Sequence, residues 1–124
     1  MNGYSATITE ASKELSPLEK VAFKDLGDTK PLGELKPDDE IIIEPDVYLT
    51  LSIHNEKSEN KDYPVFIIKD KKGTRYSTSS ENFWNTFVDI MQEVKGIEGI
   101  KIKVFTKPSK NYKGKYFLTC ALVF

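Results

Sequence analysis

The stretch Val47-Tyr48-Leu49-Thr50-Leu51-Ser52-Ile53-His54 decides the architecture. Its apolar residues fall at every second position, the period of a strand with one buried face. Upstream, Ile41-Ile42-Ile43 reads as a short buried strand that Pro45 ends. Downstream, the polar run 55–62 reads as a hairpin loop and Tyr63-Pro64-Val65-Phe66-Ile67-Ile68 as the next strand. Asp70-Lys71-Lys72-Gly73 is a tight turn with glycine available for the left-handed position, and residues 74–78 make a third strand. A helix follows. Thr78, Ser79 or Ser80, with Glu81 close behind, supplies the cap, and Phe83, Trp84, Phe87, Ile90, Met91 and Val94 form one apolar stripe. Lys95 and Gly96 close it. Two more strands come after Gly99. In the first, Ile102, Val104 and Thr106 alternate with Lys101, Lys103 and Phe105. The second runs from about 115 to 123, and the basic loop 107–114 joins them.

From residue 47 the order is therefore strand, strand, strand, helix, strand, strand. This is a mainly β pattern, that of a five-stranded OB-fold barrel with one helix between its third and fourth strands. The chain of 124 residues suits one domain, with 47–124 as barrel core and 1–46 as an acidic N-terminal extension. A split βαβ-type domain is the alternative, but it wants a second long helix. Only Ser16-Pro17-Leu18-Glu19, with a capping serine, an N1 proline and a capping-box glutamate, offers one, toward Gly27. Residues 20–24 read equally well as a strand. Pro31, Gly33 and Pro37 punctuate a loop, and Asp38-Asp39-Glu40 is a solvated charge run.

Composition removes several function classes. Hydrophobic residues are 39% and charged residues 30%, as in a globular chain. No apolar run reaches the roughly 18–20 residues of a membrane span, and residues 1–15 lack the pattern of a signal peptide. A lone Cys120 excludes an internal disulfide. No cluster of ligand residues and no GxGxxG or GxxxxGK[ST] motif is present, so neither metal nor cofactor is expected. His54 is the only histidine. With Asn55 and Glu56 it suggests a nuclease motif, but metal-dependent hydrolysis needs further ligands, so His54 reads as a structural or binding-face residue. Cys120 lies in an apolar strand without a base partner and reads as a small hydrophobe. The expectation is a protein that is not an enzyme.

The net charge of −1 hides a segregation. Residues 1–62 hold 7 lysines against 14 Asp and Glu, a balance of −7, and residues 63–124 hold 11 Lys and Arg against 5 acids, a balance of +6. Residues 99–124 carry 6 lysines and no acid. Single-stranded nucleic acid is held by positive charge for its phosphates and by aromatic rings for its bases. Lys101, Lys103, Lys107, Lys110, Lys113 and Lys115 are interleaved with Phe105, Asn111, Tyr112, Tyr116 and Phe117. A second cluster, Lys69, Lys71, Lys72, Arg75 and Tyr76, surrounds the neighbouring turn. In an OB-fold the ligand lies across the second and third strands, flanked by the first–second and fourth–fifth loops, where both clusters map. The competing reading is a protein-interaction module whose basic face meets an acidic partner. A plainer reading is that Lys-rich hairpins serve solubility and that some of the aromatic rings pack inward; Phe117, alternating with Thr119, fits either direction.

Ser109-Lys110-Asn111-Tyr112-Lys113-Gly114-Lys115, followed by Phe117-Leu118-Thr119-Cys120, resembles a segment of the small single-stranded DNA-binding proteins of bacteriophages of lactococci, streptococci and related hosts. Leu15-Ser16-Pro17-Leu18-Glu19-Lys20-Val21, His54-Asn55-Glu56-Lys57-Ser58, and Gly73-Thr74-Arg75-Tyr76 ahead of Ser80-Glu81-Asn82-Phe83-Trp84 agree in order. The resemblance implies an OB-fold that coats single-stranded DNA during phage replication or recombination in the cytoplasm of the infected bacterium. Phage replication or recombination proteins are its implied partners, and the acidic first half is either a DNA-mimicking flank or their contact surface. Exposed sheet edges add the expectation of a homo-oligomer.

Overall fold

In the computed structural model, which describes residues 3–110 and 113–123, eight strands and two helices are assigned. In chain order they are β1 Tyr4–Ala11, α1 Pro17–Phe23, β2 Lys30–Pro31, β3 Glu40–Ile43, β4 Pro45–Asn55, β5 Asp62–Asp70, β6 Arg75–Thr78, α2 Glu81–Glu93, β7 Ile102–Pro108 and β8 Tyr116–Leu122. Short 3-10 turns occupy Leu26–Asp28 and Leu32–Glu34. The strands form two sheets that are not closed, of order β1-β4-β5-β6-β2 and β3-β7-β8. The chain divides into two compact units, Met1–Lys30 with Asp46–Ser79, and Pro31–Pro45 with Ser80–Phe124.

In the first unit the period-two pattern of β4 does what it predicts. Val47, Leu49, Leu51 and Ile53 are buried, and with Val65 and Ile67 of β5 they form one apolar cluster. Leu15 and Phe23 join that cluster, so the segment carrying α1 lies over this sheet face. The capping box at α1 forms in both directions: Glu19 N–H donates to Ser16 Oγ at 3.2 Å, and Ser16 N–H to Glu19 Oε1 at 3.0 Å. Those bonds hold the Glu19 carboxyl below its ordinary value, the backbone bond contributing most. The helix ends at Phe23, short of the expected Gly27, and Asp25 caps the 3-10 turn behind it.

The turn after β5 is built by Asp70. Its Oδ1 accepts from Lys72 N–H and Thr74 N–H, both at 2.9 Å, and Gly73 takes φ +93°.

In the second unit β3 pairs antiparallel with β7, and β7 with β8. Rows Ile43–Ile102–Leu122 and Ile41–Val104–Cys120 line one side of this sheet, where Ile43, Ile102 and Val104 are 0% exposed. Helix α2 is capped by Ser80, whose Oγ accepts from Phe83 N–H at 3.2 Å. Its buried stripe is Phe83, Trp84 and Phe87, with Trp84 stacked on Phe87 at 5.2 Å.

Residues 1–46, whose packing the sequence left open, supply β1, β2 and β3; β3 is the strand read at Ile41-Ile42-Ile43, and β1 and β2 are additions to the sequence reading. Tyr4, Ala6 and Ile8 alternate with Ser5, Thr7 and Thr9, but the small Ala6 and the hydroxyl-rich opposite face make a weak apolar signal. Pairing with β4 turns this weak local preference into a strand.

Candidate nucleic-acid interface

The register of the second unit's sheet sorts its residues into two faces, because successive side chains alternate across a strand. Opposite the buried rows lie Ile42–Lys103–Ala121, then Glu40–Phe105–Thr119, then Lys107–Phe117. This face is open: Ile42 is 48% and Phe117 45% exposed, Lys107 and Lys115 are exposed, and Lys103 and Phe105 are half-buried. Phe105 stands opposite Thr119, and Phe117 two residues on is its diagonal neighbour. Diagonal same-face residues lie about 7–8 Å apart, so the two rings stand on one face within reach of each other.

Lysines border that patch at close range. Lys103 Nζ lies 5.0 Å and Lys107 Nζ 5.7 Å from the centre of the Phe105 ring, both within cation–π distance. Lys101 leads into the same strand; its carbonyl accepts from Val123 N–H at 2.9 Å. At the other end Ser109 N–H donates to the Lys115 carbonyl at 2.8 Å, which closes the base of the loop. Lys110, Lys113 and Lys115 are exposed around it, and Gly114 takes φ +77°. Tyr116 is 51% exposed at the start of β8, on the side of the sheet opposite Phe117. Asn111 and Tyr112, both candidates from the sequence, lie outside the described residues.

The other basic cluster is placed differently. Tyr76 is 8% exposed, and its hydroxyl is pushed above the ordinary value chiefly by burial, so the ring is a core group and offers no stacking surface. The Arg75 guanidinium donates to the Ala22 carbonyl and pairs with Asp28 at 2.7 Å, with its side chain 13% exposed. It ties the α1 segment to β6. Thr29 Oγ1 and Ser77 Oγ, 3.0 Å apart, add a second tie. Lys69 stands opposite Arg75 and is half-buried, and Lys71 and Lys72 are exposed in the turn. Within its own unit each set is used differently: the hairpin set presents charge and rings together, and the turn set does not.

Ile42 of the open face stands outside the sequence-derived set, and Phe117, which the sequence alone leaves free to face either way, joins it. The pairing of β8 with β7 decides the direction of Phe117, a non-local fact. Its neighbour Phe105 on the same parity is the one local clue.

The potential catalytic groups are also accounted for. His54 Nδ1 lies 2.7 Å from Asp62 and Nε2 2.7 Å from Glu56. These bonds hold the imidazolium above the ordinary 6.5, Asp62 contributing most. Burial pushes the Cys120 thiol up to about 11. Among the described residues no group of three His, Cys, Asp or Glu is disposed to hold a metal ion, and no helix is long and apolar enough to cross a membrane. Compared with known proteins, the chain matches no family model, no curated protein and no solved structure.

Proposed function

We propose that this protein binds single-stranded DNA without strong sequence preference, as a non-enzymatic coat, through the open face of the β3-β7-β8 sheet and the loop 109–115. The observation that carries the reading is the row pattern: Phe105 and Phe117 share an exposed face with Lys103, Lys107 and Lys115. Rings for bases beside ammonium groups for phosphates are what binding single strands requires. The lone carboxylate in these rows is Glu40, at the β3 edge.

An OB-type arrangement is part of the proposal. Its support is connectivity. One residue, Glu44, separates β3 from β4, yet the two belong to different sheets. Residues 40–55 then act as one long strand that switches sheets at a bend, followed by β5, β6, α2, β7 and β8 in OB order. The barrel's first strand accordingly begins at Glu40, upstream of the Val47 expected from alternation. In such folds the surface of the second and third strands takes the ligand. Here Leu15, Phe23 and the Arg75 ties cover one face of β5 and β6, which favours the β7–β8 face as the binding surface.

The phage context, replication or recombination proteins as partners, and a homo-oligomeric coat belong to the same proposal. The phage context and those partners rest on the sequence resemblance, and the homo-oligomer on exposed sheet edges.

The test is a titration of a fluorescent single-stranded oligonucleotide, competed with duplex of equal length. Binding that falls with salt at about −0.7 in log–log slope per phosphate contact, and that duplex displaces poorly, is expected. Equal competition by duplex, or by a polyanion without bases, would favour the acidic-partner reading. No binding at micromolar protein would remove the function.

A further inference from the structure

We infer that β1 is a self-association strand: two copies of the chain pair antiparallel through β1 about a two-fold axis at Ala6. The inference is independent of the nucleic-acid reading. β1 is the terminal strand of its sheet, with β4 on one side. Glu56 N–H donates to the Gly3 carbonyl at 2.6 Å, and those residues are in register with the β1–β4 ladder. In an antiparallel ladder hydrogen-bonded pairs alternate with non-bonded ones. Ser5 and Thr7 therefore bond toward β4, and Tyr4, Ala6 and Ile8 turn their N–H and C=O groups to the open edge. Among the described residues those outward groups have no other hydrogen-bond partner.

The edge also lacks what normally discourages pairing. Edge strands are protected by charged side chains, proline or bulges. Tyr4-Ser5-Ala6-Thr7-Ile8 has no charge and no proline, and the bulge and Glu10 come only after Ile8. A two-fold axis at Ala6 places Tyr4 opposite the partner's Ile8, Ala6 opposite the partner's Ala6, and Ser5 opposite the partner's Thr7. The outward groups of Tyr4, Ala6 and Ile8 meet their own kind in this register, so three pairs each exchange two hydrogen bonds. Tyr–Ile and Ser–Thr are favourable cross-strand neighbours, and no like charges oppose. An open groove of about 460 Å³ borders the strand beside Ile8, which neighbours the partner's Tyr4 in this register; Ile8 and Leu15 line it together with charged groups, Glu10, Lys13 and Glu14 among them. A second copy is the occupant because the pairing is self-complementary in hydrogen bonds, side chains and charge.

Sedimentation velocity on the full chain tests this. The mass should rise with concentration toward twice 14.1 kDa. Ala6→Pro removes only an outward N–H, a change that edge strands tolerate, and should hold the mass at one chain while the circular-dichroism melt stays cooperative. Ser5→Lys with Thr7→Lys sets like charges opposite across the axis and should be monomeric, as should Ser5→Glu with Thr7→Glu. Mixing the two charge variants should restore the dimer mass. A parent that stays monomeric at every concentration would overturn the inference. So would a dimer that Ala6→Pro and both charge variants leave intact.

Discussion

Residues 69–76 and residues 101–117 carry the same kinds of side chain, lysines beside aromatic rings on a hairpin, and the fold uses them in opposite ways. In the first, Tyr76 is buried and Arg75 is spent on Ala22 and Asp28. In the second, Phe105 and Phe117 share an open face with lysines on either side. The difference is one of cover. The Arg75 side of β5–β6 is overlaid by the α1 segment, anchored by Leu15 and Phe23, and Tyr76, beside Ile68 on the other side, is buried as well, whereas Phe117 and Ile42 on the β3-β7-β8 face remain about half exposed. A basic aromatic hairpin is open to a ligand only where no other part of the chain covers it.

Removing the support beneath the open face should have the largest effect. Phe87, 0% exposed and stacked against Trp84, should cost about 3–5 kcal/mol as Phe87→Ala, read by chemical denaturation. Trp84→Ala should approach the same cost, and oligonucleotide should barely quench Trp84 fluorescence. Strong quenching would move Trp84 to the ligand side and break the contrast between buried and open faces.

The comparison itself is sharpened by paired variants. Phe105→Ala and Phe117→Ala should each weaken single-strand binding by about 1–3 kcal/mol, tenfold or more, with the melting temperature little changed. Arg75→Ala should do the reverse, losing about 1–3 kcal/mol of stability through its bonds to Ala22 and Asp28 while affinity stays at the parent value. If Arg75→Ala weakened binding and Phe105→Ala did not, the two regions would have to exchange roles. A smaller effect is expected from Lys103→Ala with Lys107→Ala, which should flatten the salt slope by about 0.7 for each phosphate no longer neutralised.

The mildest effect concerns pH. Asp62 and Glu56 raise the His54 value in the fold, so their stabilisation is complete below the ordinary 6.5 and disappears as pH rises through the raised value. The NMR titration midpoint of His54 should lie above 6.5, and Asp62→Asn should lower it. A midpoint at or below 6.5 would detach the β4–β5 loop from this ion cluster.

Much of this was legible locally. The alternation at 47–53, the Asp70–Gly73 turn and the Phe83–Trp84–Phe87 stripe describe elements that form as read, whereas the structure chose helix over strand after Ser16 and Ser80 among three candidate caps. Each depends on near neighbours: a period, a cap or a positive φ is set within a few residues. Lys103, Phe105 and Lys107 also share a strand face by period alone. Tertiary structure decided the rest. Whether β1 was strand or coil, whether Tyr76 faced core or solvent, and whether Phe117 joined Phe105 all turn on strand pairing and on which segment covers which face. Those partners lie tens of residues away, Ile8 with Leu51 and Arg75 with Asp28, and no local pattern encodes a pairing that the chain makes only after folding back on itself.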